Sequence, residues 1–236
     1  MRGATLRSRQ QALTPEQLTI AWQSASLLLD YPSEELLGHL ALVRSAAGAL
    51  PERLGDRLRG FADHVERTPL PDLQAEYVET FDTRRRCNLF LTYFAHGDTR
   101  KRGMALLRFK QDYLRAGFEV TDEELPDHLC VVLEFAATGD QAAGRQLLLD
   151  HRAGLELLRM SLRDLGSPWA GVVEVVTGTL PPLRGDEVEA VRRLAAEGPP
   201  EEEVGLTPYA TPGFDPGPAV PDSPIPLPMP SFPGAR

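Results

Sequence analysis

Apolar residues recur every three or four positions along most of the chain, which is the spacing of one face of an α-helix. The first such stretch opens at Thr14-Pro15-Glu16-Gln17, a capping box with proline at the first helical position. Its apolar face consists of Leu18, Trp22, Ala25 and Leu29. No segment shows a convincing alternation of apolar and polar residues, the pattern of a half-buried strand. The chain is therefore predicted to be all-α.

Similar patterns predict eight further helices. The longest is expected over residues 141–165, where an apolar stripe includes His151 as a core histidine. The other predicted helices begin at or near Ser33, Pro51, Asp72, Asp98, Pro126, Pro168 and Asp186. Together they predict a single helical bundle of about nine helices without internal repeats.

The distribution of proline predicts the domain boundaries. More than half of the 21 prolines lie in residues 199–236, which we expect to form a disordered proline-rich tail. Residues 14–198 would be the helical domain, and residues 1–13 a flexible arm. The arm contains arginines but no apolar run, so it is not expected to be a secretory signal.

Composition narrows the class of function. With 236 residues, 42% of them hydrophobic, the chain is long enough to bury a sizeable core. Its formal charge of −9 disfavours nucleic acid as the main partner. The two cysteines, Cys87 and Cys130, have no metal-site spacing, and no apolar run approaches the ~20 residues of a membrane span. We expect a cytoplasmic protein with no metal site and no direct membrane insertion.

One segment has the opposite charge. Residues 82–115 carry nine basic and three acidic side chains. An alternative function is the binding of RNA or phosphate by residues 84–115, with Phe90, Tyr93 and Phe94 stacking on bases. A solvated helix face whose charges are paired within the protein is favoured over it.

A second cluster raises the question of catalysis. Glu124, Asp127 and His128 are three titratable residues within five positions, and they form a weak candidate for acid/base chemistry. No motif supplies a positioned nucleophile or a metal, so no catalytic residue is assigned and the chain is predicted not to be an enzyme.

Three motifs carry a family resemblance. They are Tyr77-Val78-Glu79-Thr80-Phe81-Asp82, the stretch from His96-Gly97-Asp98-Thr99-Arg100 through Arg102-Gly103 to Ala105, and Glu124-Leu125-Pro126-Asp127-His128-Leu129. Leu28-Leu29-Asp30-Tyr31-Pro32 adds an N-terminal signature. In order and spacing the chain resembles the respiratory nitrate reductase assembly chaperones, also called delta subunits, which are redox-enzyme-maturation chaperones.

The resemblance implies an all-helical chaperone that performs no catalytic turnover and holds no cofactor stably. Its partner would be the catalytic subunit of nitrate reductase, whose N-terminal segment binds as a helix in a groove. The client would thereby stay competent for molybdenum cofactor insertion and membrane assembly. A different molybdoenzyme client is the alternative within the same class.

The resemblance also implies site residues. Those expected to bind the client peptide are Tyr77, Phe81, Asp82, His96, Thr99, Arg100, Arg102, Glu124, Leu125, Asp127 and His128. Asp127 is the first candidate for pairing with a client arginine or lysine. Gly97, Asp98, Gly103 and Pro126 are expected to be structural. The chain departs from the family pattern at Thr99, usually serine, at Cys130, where proline is common, and in its proline-rich tail.

Overall fold

The structure, a computed structural model, describes residues 12–119 and 124–200, and within them it confirms the all-α class. Its eleven helices in these ranges are α1 (Pro15–Leu29), α2 (Glu34–Ala47), α3 (Glu52–Arg67), α4 (Leu70–Phe81), α5 (Tyr93–His96), α6 (Arg100–Arg115), α7 (Leu129–Thr138), α8 (Gln141–Asp150), α9 (Arg152–Asp164), α10 (Ala170–Gly178) and α11 (Gly185–Glu197). A 3₁₀ turn, Arg85–Cys87, follows α4. Most of the predicted arm, residues 1–11, and of the tail, residues 201–236, lies outside the described residues.

Helix α1 lies at the centre of the core. The predicted capping box is confirmed, because the Gln17 N–H donates to Thr14 Oγ1 and the Thr14 N–H donates to the Gln17 side chain. The helix packs against α2, α7 and α10. Trp22, which is fully buried, donates its indole N–H to Thr179 Oγ1 at 2.9 Å. The residues after Leu29 lie beside α4 and α7.

The prediction of one long helix over residues 141–165 was wrong, because the helix is interrupted at His151. That residue has φ −105° and ψ 21° and separates α8 from α9. The centroid of its ring lies 5.1 Å from that of Phe109. His151 therefore packs against the core as predicted, but from a position between two helices. This break and the short helix α5 raise the number of described helices above the predicted nine.

Two helix starts also differ from the prediction. Asp98 does not cap α6: the N-cap residue is Thr99, and Asp98 instead pairs with Arg102 at 3.2 Å. Helix α7 begins at Leu129 rather than near Pro126. The reason is that the backbone from Asp127 to Leu129 is occupied by hydrogen bonds to another segment, described below, and cannot form helical turns there. Across the described ranges, no helix is long and apolar enough to cross a membrane.

Candidate functional site

The third motif meets residues 89–91, which precede the second motif, through a short antiparallel contact. Leu91 donates its N–H to the Asp127 carbonyl at 3.0 Å, and Leu129 donates to the Leu89 carbonyl at 2.9 Å. Phe90 and His128 face each other in this bridge, with ring centroids 5.1 Å apart. Residues 89–91 are thereby fixed against the segment that leads into α7.

Asp127 lies inside this contact and is fully buried. Its Oδ2 accepts hydrogen bonds from the Thr92 N–H at 3.1 Å and from the Thr92 hydroxyl at 2.5 Å. Arg102 Nη2 lies 3.7 Å from the same oxygen. Because Oδ2 has these internal partners and neither oxygen is exposed, the unpartnered Oδ1 included, this conformation gives a client cation no access to the carboxylate. The geometry favours a structural role for Asp127 over the direct pairing predicted from sequence.

Arg102 joins the second motif to this buried carboxylate. Its Nε donates to Thr92 Oγ1 at 3.2 Å, and its Nη1 pairs with Asp98 at 3.2 Å. The guanidinium lies over the Phe90 ring, 5.2 Å from the centroid. Arg102 is only 16% exposed. It therefore holds α6 against the bridge and offers little surface to a partner.

The first motif contributes two aromatic side chains to the core. Tyr77 and Phe81 are buried, and their rings pack with each other and with Trp169, at centroid distances of 4.7 to 5.7 Å. The Tyr77 hydroxyl donates to the Leu29 carbonyl at 3.1 Å. Tyr31, which is exposed, packs edge-on against Tyr77 at 5.4 Å. Tyr77 thus contacts both the buried end of α1 and the exposed Tyr31 that follows it.

Carboxylates surround this end of α1. Burial raises the pKa of the Tyr77 phenol above its usual value, and Asp30, Asp82 and Glu124 raise it further. Burial likewise raises the pKa of the Cys130 thiol, with added repulsion from carboxylates that include Asp30 and Glu124. Asp30 and Glu124 therefore act on the same buried groups, although 94 positions separate them in the chain.

One of these carboxylates, Glu124, lines a cavity of about 350 Å³. We call it the glutamate cavity; its lining includes three glutamates and an apolar floor, namely Glu119, Glu124, Glu134, Tyr113, Phe118, Val131, Phe135 and Thr138. Phe118 remains 41% exposed and Leu125, next to Glu124, 42%. Acidic groups above exposed apolar surface are suited to a basic amphipathic partner.

The predicted site residues divide into three groups. Asp82, Arg100, Glu124 and Leu125 are exposed; His96, Thr99, Arg102 and His128 are partly buried; Tyr77, Phe81 and Asp127 are buried. Only Glu124 lines the glutamate cavity, and His96, Thr99 and Arg100 do not. Burial lowers the pKa of His128, against the opposing effect of Asp30 and Asp127.

Sequence reasoning missed several residues at this surface. Asp30 and Tyr31 in the N-terminal signature, and Glu134 in the stretch Leu133-Glu134-Phe135 that adds to the family resemblance, were given no site role. Phe118 and Glu119 were part of no motif. The available signal was the charge of the segment 119–124, in which four of six residues are acidic. Residues 120–123 of that segment lie outside the described part of the chain.

The residues predicted to be structural behave differently from one another. Gly97 has φ 55°, and a Cβ there would overlap the carbonyl oxygen of Pro200, so glycine is required. Gly103 has open space around its Cα, and no contact requires glycine there. Pro126 is buried and its carbonyl accepts from the Tyr113 hydroxyl at 2.6 Å.

The basic segment 84–115 is engaged within the protein at about half of its basic residues. Arg84 pairs with Glu79, Arg115 pairs with Asp112, and Arg85 donates to the Tyr93 hydroxyl. Tyr93 and Phe94, which the RNA alternative needs for base stacking, are buried. In the described chain there is no group of three or more metal-ligating side chains. The geometry therefore favours the glutamate cavity as the candidate site.

Comparison with known proteins supplies the family. The model of the nitrate reductase delta subunit family matches residues 47–174, more than half of the chain. The chain belongs to the nitrate reductase delta subunit family. That family assignment confirms the resemblance carried by the three motifs, all of which lie within the matched residues.

Individual delta-subunit relatives agree with the assignment. The chain is 40% identical over 161 residues to the nitrate reductase-like protein NarX of Mycobacterium tuberculosis, covering 68% of this chain and 24% of NarX. It therefore spans about a quarter of the length of that relative. It is 33% identical over 167 residues to the probable nitrate reductase molybdenum cofactor assembly chaperone NarJ of Bacillus subtilis, covering 68% of this chain and 88% of NarJ.

A solved structure supports the same fold. The crystal structure of a putative redox enzyme maturation protein from Archaeoglobus fulgidus superposes with a TM-score of 0.50 at 25% sequence identity. The match covers 72% of this chain and 94% of that chain. This delta-subunit family member thus shares its helical architecture with a protein of the redox-enzyme-maturation class.

Proposed function

We propose that this protein is an assembly chaperone that binds the immature catalytic subunit of a respiratory nitrate reductase. It would hold the N-terminal segment of that subunit and keep it competent for molybdenum cofactor insertion. The support is the family, together with the NarJ relative named as a molybdenum cofactor assembly chaperone. In this proposal the protein acts in the cytoplasm, without catalytic turnover and without holding a cofactor stably.

The observation that carries the proposal is the glutamate cavity. Its carboxylates, Glu119, Glu124 and Glu134, stand beside an apolar floor that includes Phe118 and Phe135. A helix with basic residues on one side and apolar residues at i, i+3 and i+4 on the other would match both features. We therefore assign the cavity, rather than Asp127, as the place where the client helix binds.

Two exposed residues that follow α1, Asp30 and Tyr31, extend the proposed surface. Asp30 and the cavity residues Glu124 and Glu134 all raise the pKa of the buried Cys130 thiol, and Tyr31, next to Asp30 in the chain, is 47% exposed. An amphipathic helix longer than the cavity would meet further acidic and apolar groups here. The exposed residues of the N-terminal signature, Asp30 and Tyr31, and the exposed Glu124 and Leu125 of the third motif would then form one surface.

Calorimetry with a synthetic peptide tests this proposal. The peptide is the N-terminal segment of the nitrate reductase catalytic subunit from the same genome, titrated into the full chain. We expect saturable binding that weakens as salt concentration rises, because exposed charges are screened. Glu134→Gln removes one exposed cavity carboxylate and should weaken binding about threefold to tenfold.

Glu189→Gln is the matched control. Glu189 lies on α11 with its side chain 72% exposed, and it does not line the glutamate cavity. The control variant should bind the peptide like the unaltered protein. Equal loss in both variants would mean that only net charge matters. No binding of a soluble peptide would reject the proposed client, and tighter binding of a peptide from a different molybdoenzyme would reassign it.

A further inference from the structure

A second polar cavity lies away from the glutamate cavity and shares no lining residue with it. Its volume is about 420 Å³, and we call it the arginine cavity. Five arginines from α3 and α9 line it, together with two glutamates: Arg53, Arg57, Arg152, Arg159, Arg163, Glu156 and Glu174. These residues are far apart in sequence, so no run of basic residues indicates the cavity.

The carboxylates of the arginine cavity do not balance its cations. Glu156 pairs with Arg152 at 2.7 Å and with Arg159 at 2.6 Å. Glu174 pairs with Arg57 and, at 3.5 Å, with Arg163. Each glutamate is thus shared by two guanidinium groups. Even if Glu187, which also acts on Arg152, is counted, the arginines exceed the carboxylates by two.

The crowding of cations is visible in Arg57. Its pKa is lowered by burial and by the neighbouring charges of Arg53, Arg163 and Arg159. Within the described residues Arg53 makes no ion pair. Its guanidinium lies next to Gly178, the last residue of α10. An anion in the cavity would relieve this repulsion.

Arg152 provides a second and independent observation. Its side chain is only 8% exposed, and its Nε has no hydrogen-bond partner. The remaining nitrogens bind Glu156 and the Thr177 carbonyl. A buried charged group with an unpaired N–H is costly, so an anion in the cavity that Arg152 lines would stabilise this guanidinium through its charge.

We infer that the arginine cavity binds a ligand with phosphate groups, of diphosphate size. Guanidinium groups bind phosphate oxygens in a forked geometry, and a diphosphate carries roughly two to three negative charges near neutral pH, similar to the excess of arginine. This site is separate from the client surface and is independent of the proposed function.

Isothermal titration of the full chain with inorganic pyrophosphate at low salt tests the inference. We expect one saturable site whose affinity falls with salt concentration. Arg53→Gln should weaken binding about tenfold, because it removes one guanidinium group from the cavity. Since Arg53 is exposed and its loss breaks no internal ion pair, the variant should still fold. Circular dichroism and thermal unfolding would verify that the variant is folded.

Arg115→Gln is the matched control, with the same change of charge. Its side chain is 73% exposed at the end of α6 and does not line the arginine cavity. This variant should bind pyrophosphate within about twofold of the unaltered protein. Absence of saturable binding, or equal weakening in both variants, would overturn the inference and leave the arginines as braces between α3, α9 and α10.

A second titration distinguishes the source of the phosphate groups. Adenosine diphosphate that binds with the affinity of pyrophosphate would indicate recognition of the phosphates alone. Adenosine diphosphate that binds much more tightly would indicate a nucleotide ligand. Because Arg53→Gln leaves the glutamate cavity intact, peptide binding and pyrophosphate binding can succeed or fail independently.

Discussion

Replacing Asp127 by alanine is expected to destabilise the fold by about 4 kcal/mol. The carboxylate is fully buried and accepts two hydrogen bonds from Thr92, and Arg102 lies 3.7 Å away. Hydrogen bonds to a charged group contribute about 1.5–3 kcal/mol each, and removing one member of a buried pair costs roughly 3–5 kcal/mol. The estimate lies within that range because Arg102 keeps a second partner in Asp98.

Asp98→Ala is the matched control for this prediction. Asp98 pairs with the same guanidinium at 3.2 Å, but its side chain is 74% exposed. An exposed pair of this kind contributes about 1 kcal/mol or less. Both variants remove a carboxylate that faces Arg102, and they differ in burial and in the two Thr92 hydrogen bonds that Asp127 accepts. The difference between the two free energies of unfolding therefore measures what burial and the Thr92 hydrogen bonds add together.

Urea unfolding, followed by circular dichroism and by the fluorescence of Trp22 and Trp169, would provide both free energies. At about 2–4 °C per kcal/mol for a domain of this size, Asp127→Ala should lower the melting temperature by roughly 8–16 °C. Peptide affinity measured well below that temperature should stay unchanged. A variant as stable as the unaltered protein that loses peptide binding would refute the structural role and restore the client contact predicted from sequence.

Three further effects are expected. Gly97→Ala should destabilise the fold by about 1–3 kcal/mol in urea unfolding, because of its positive φ and the overlap of a Cβ with a neighbouring carbonyl. Burial lowers the pKa values of His128 and His151, so below about pH 6.5 the unfolded chain binds more protons than the folded protein. The free energy of unfolding should therefore fall as the pH drops below about 6.5, and it should fall less steeply in His151→Gln. Trp169→Ala should cost about 3–5 kcal/mol by calorimetry, since it empties a fully buried position and leaves the Leu28 carbonyl without its indole donor.

Local patterns were sufficient where neighbours in sequence determine the structure. The capping box at Thr14 and the helix that follows it were predicted as they occur, because the cap bonds join residues three positions apart. The break at His151 was not predictable in this way. The apolar stripe in the sequence continues through His151. Helix α8 ends there through a local change of the backbone, at a position that packs against the ring of Phe109 from a different helix.

The candidate site shows the same division. The motifs predicted that residues near Glu124 matter, and Glu124 does line the glutamate cavity. They gave Asp127 an exposed role because spacing along a chain contains no information on burial. The bridge between residues 89–91 and 127–129 buries that carboxylate, and this contact exists only after the two segments have come together.

The sequence by itself determined the all-α class, most helices, the acidic character of the protein and its family, since these follow from periodicity, composition and motifs within short stretches. Only the tertiary structure decided which charged groups are buried, which carboxylates share one cavity, and that five arginines from α3 and α9 converge on another. The physical reason is that burial and charge clustering depend on packing between helices distant in sequence.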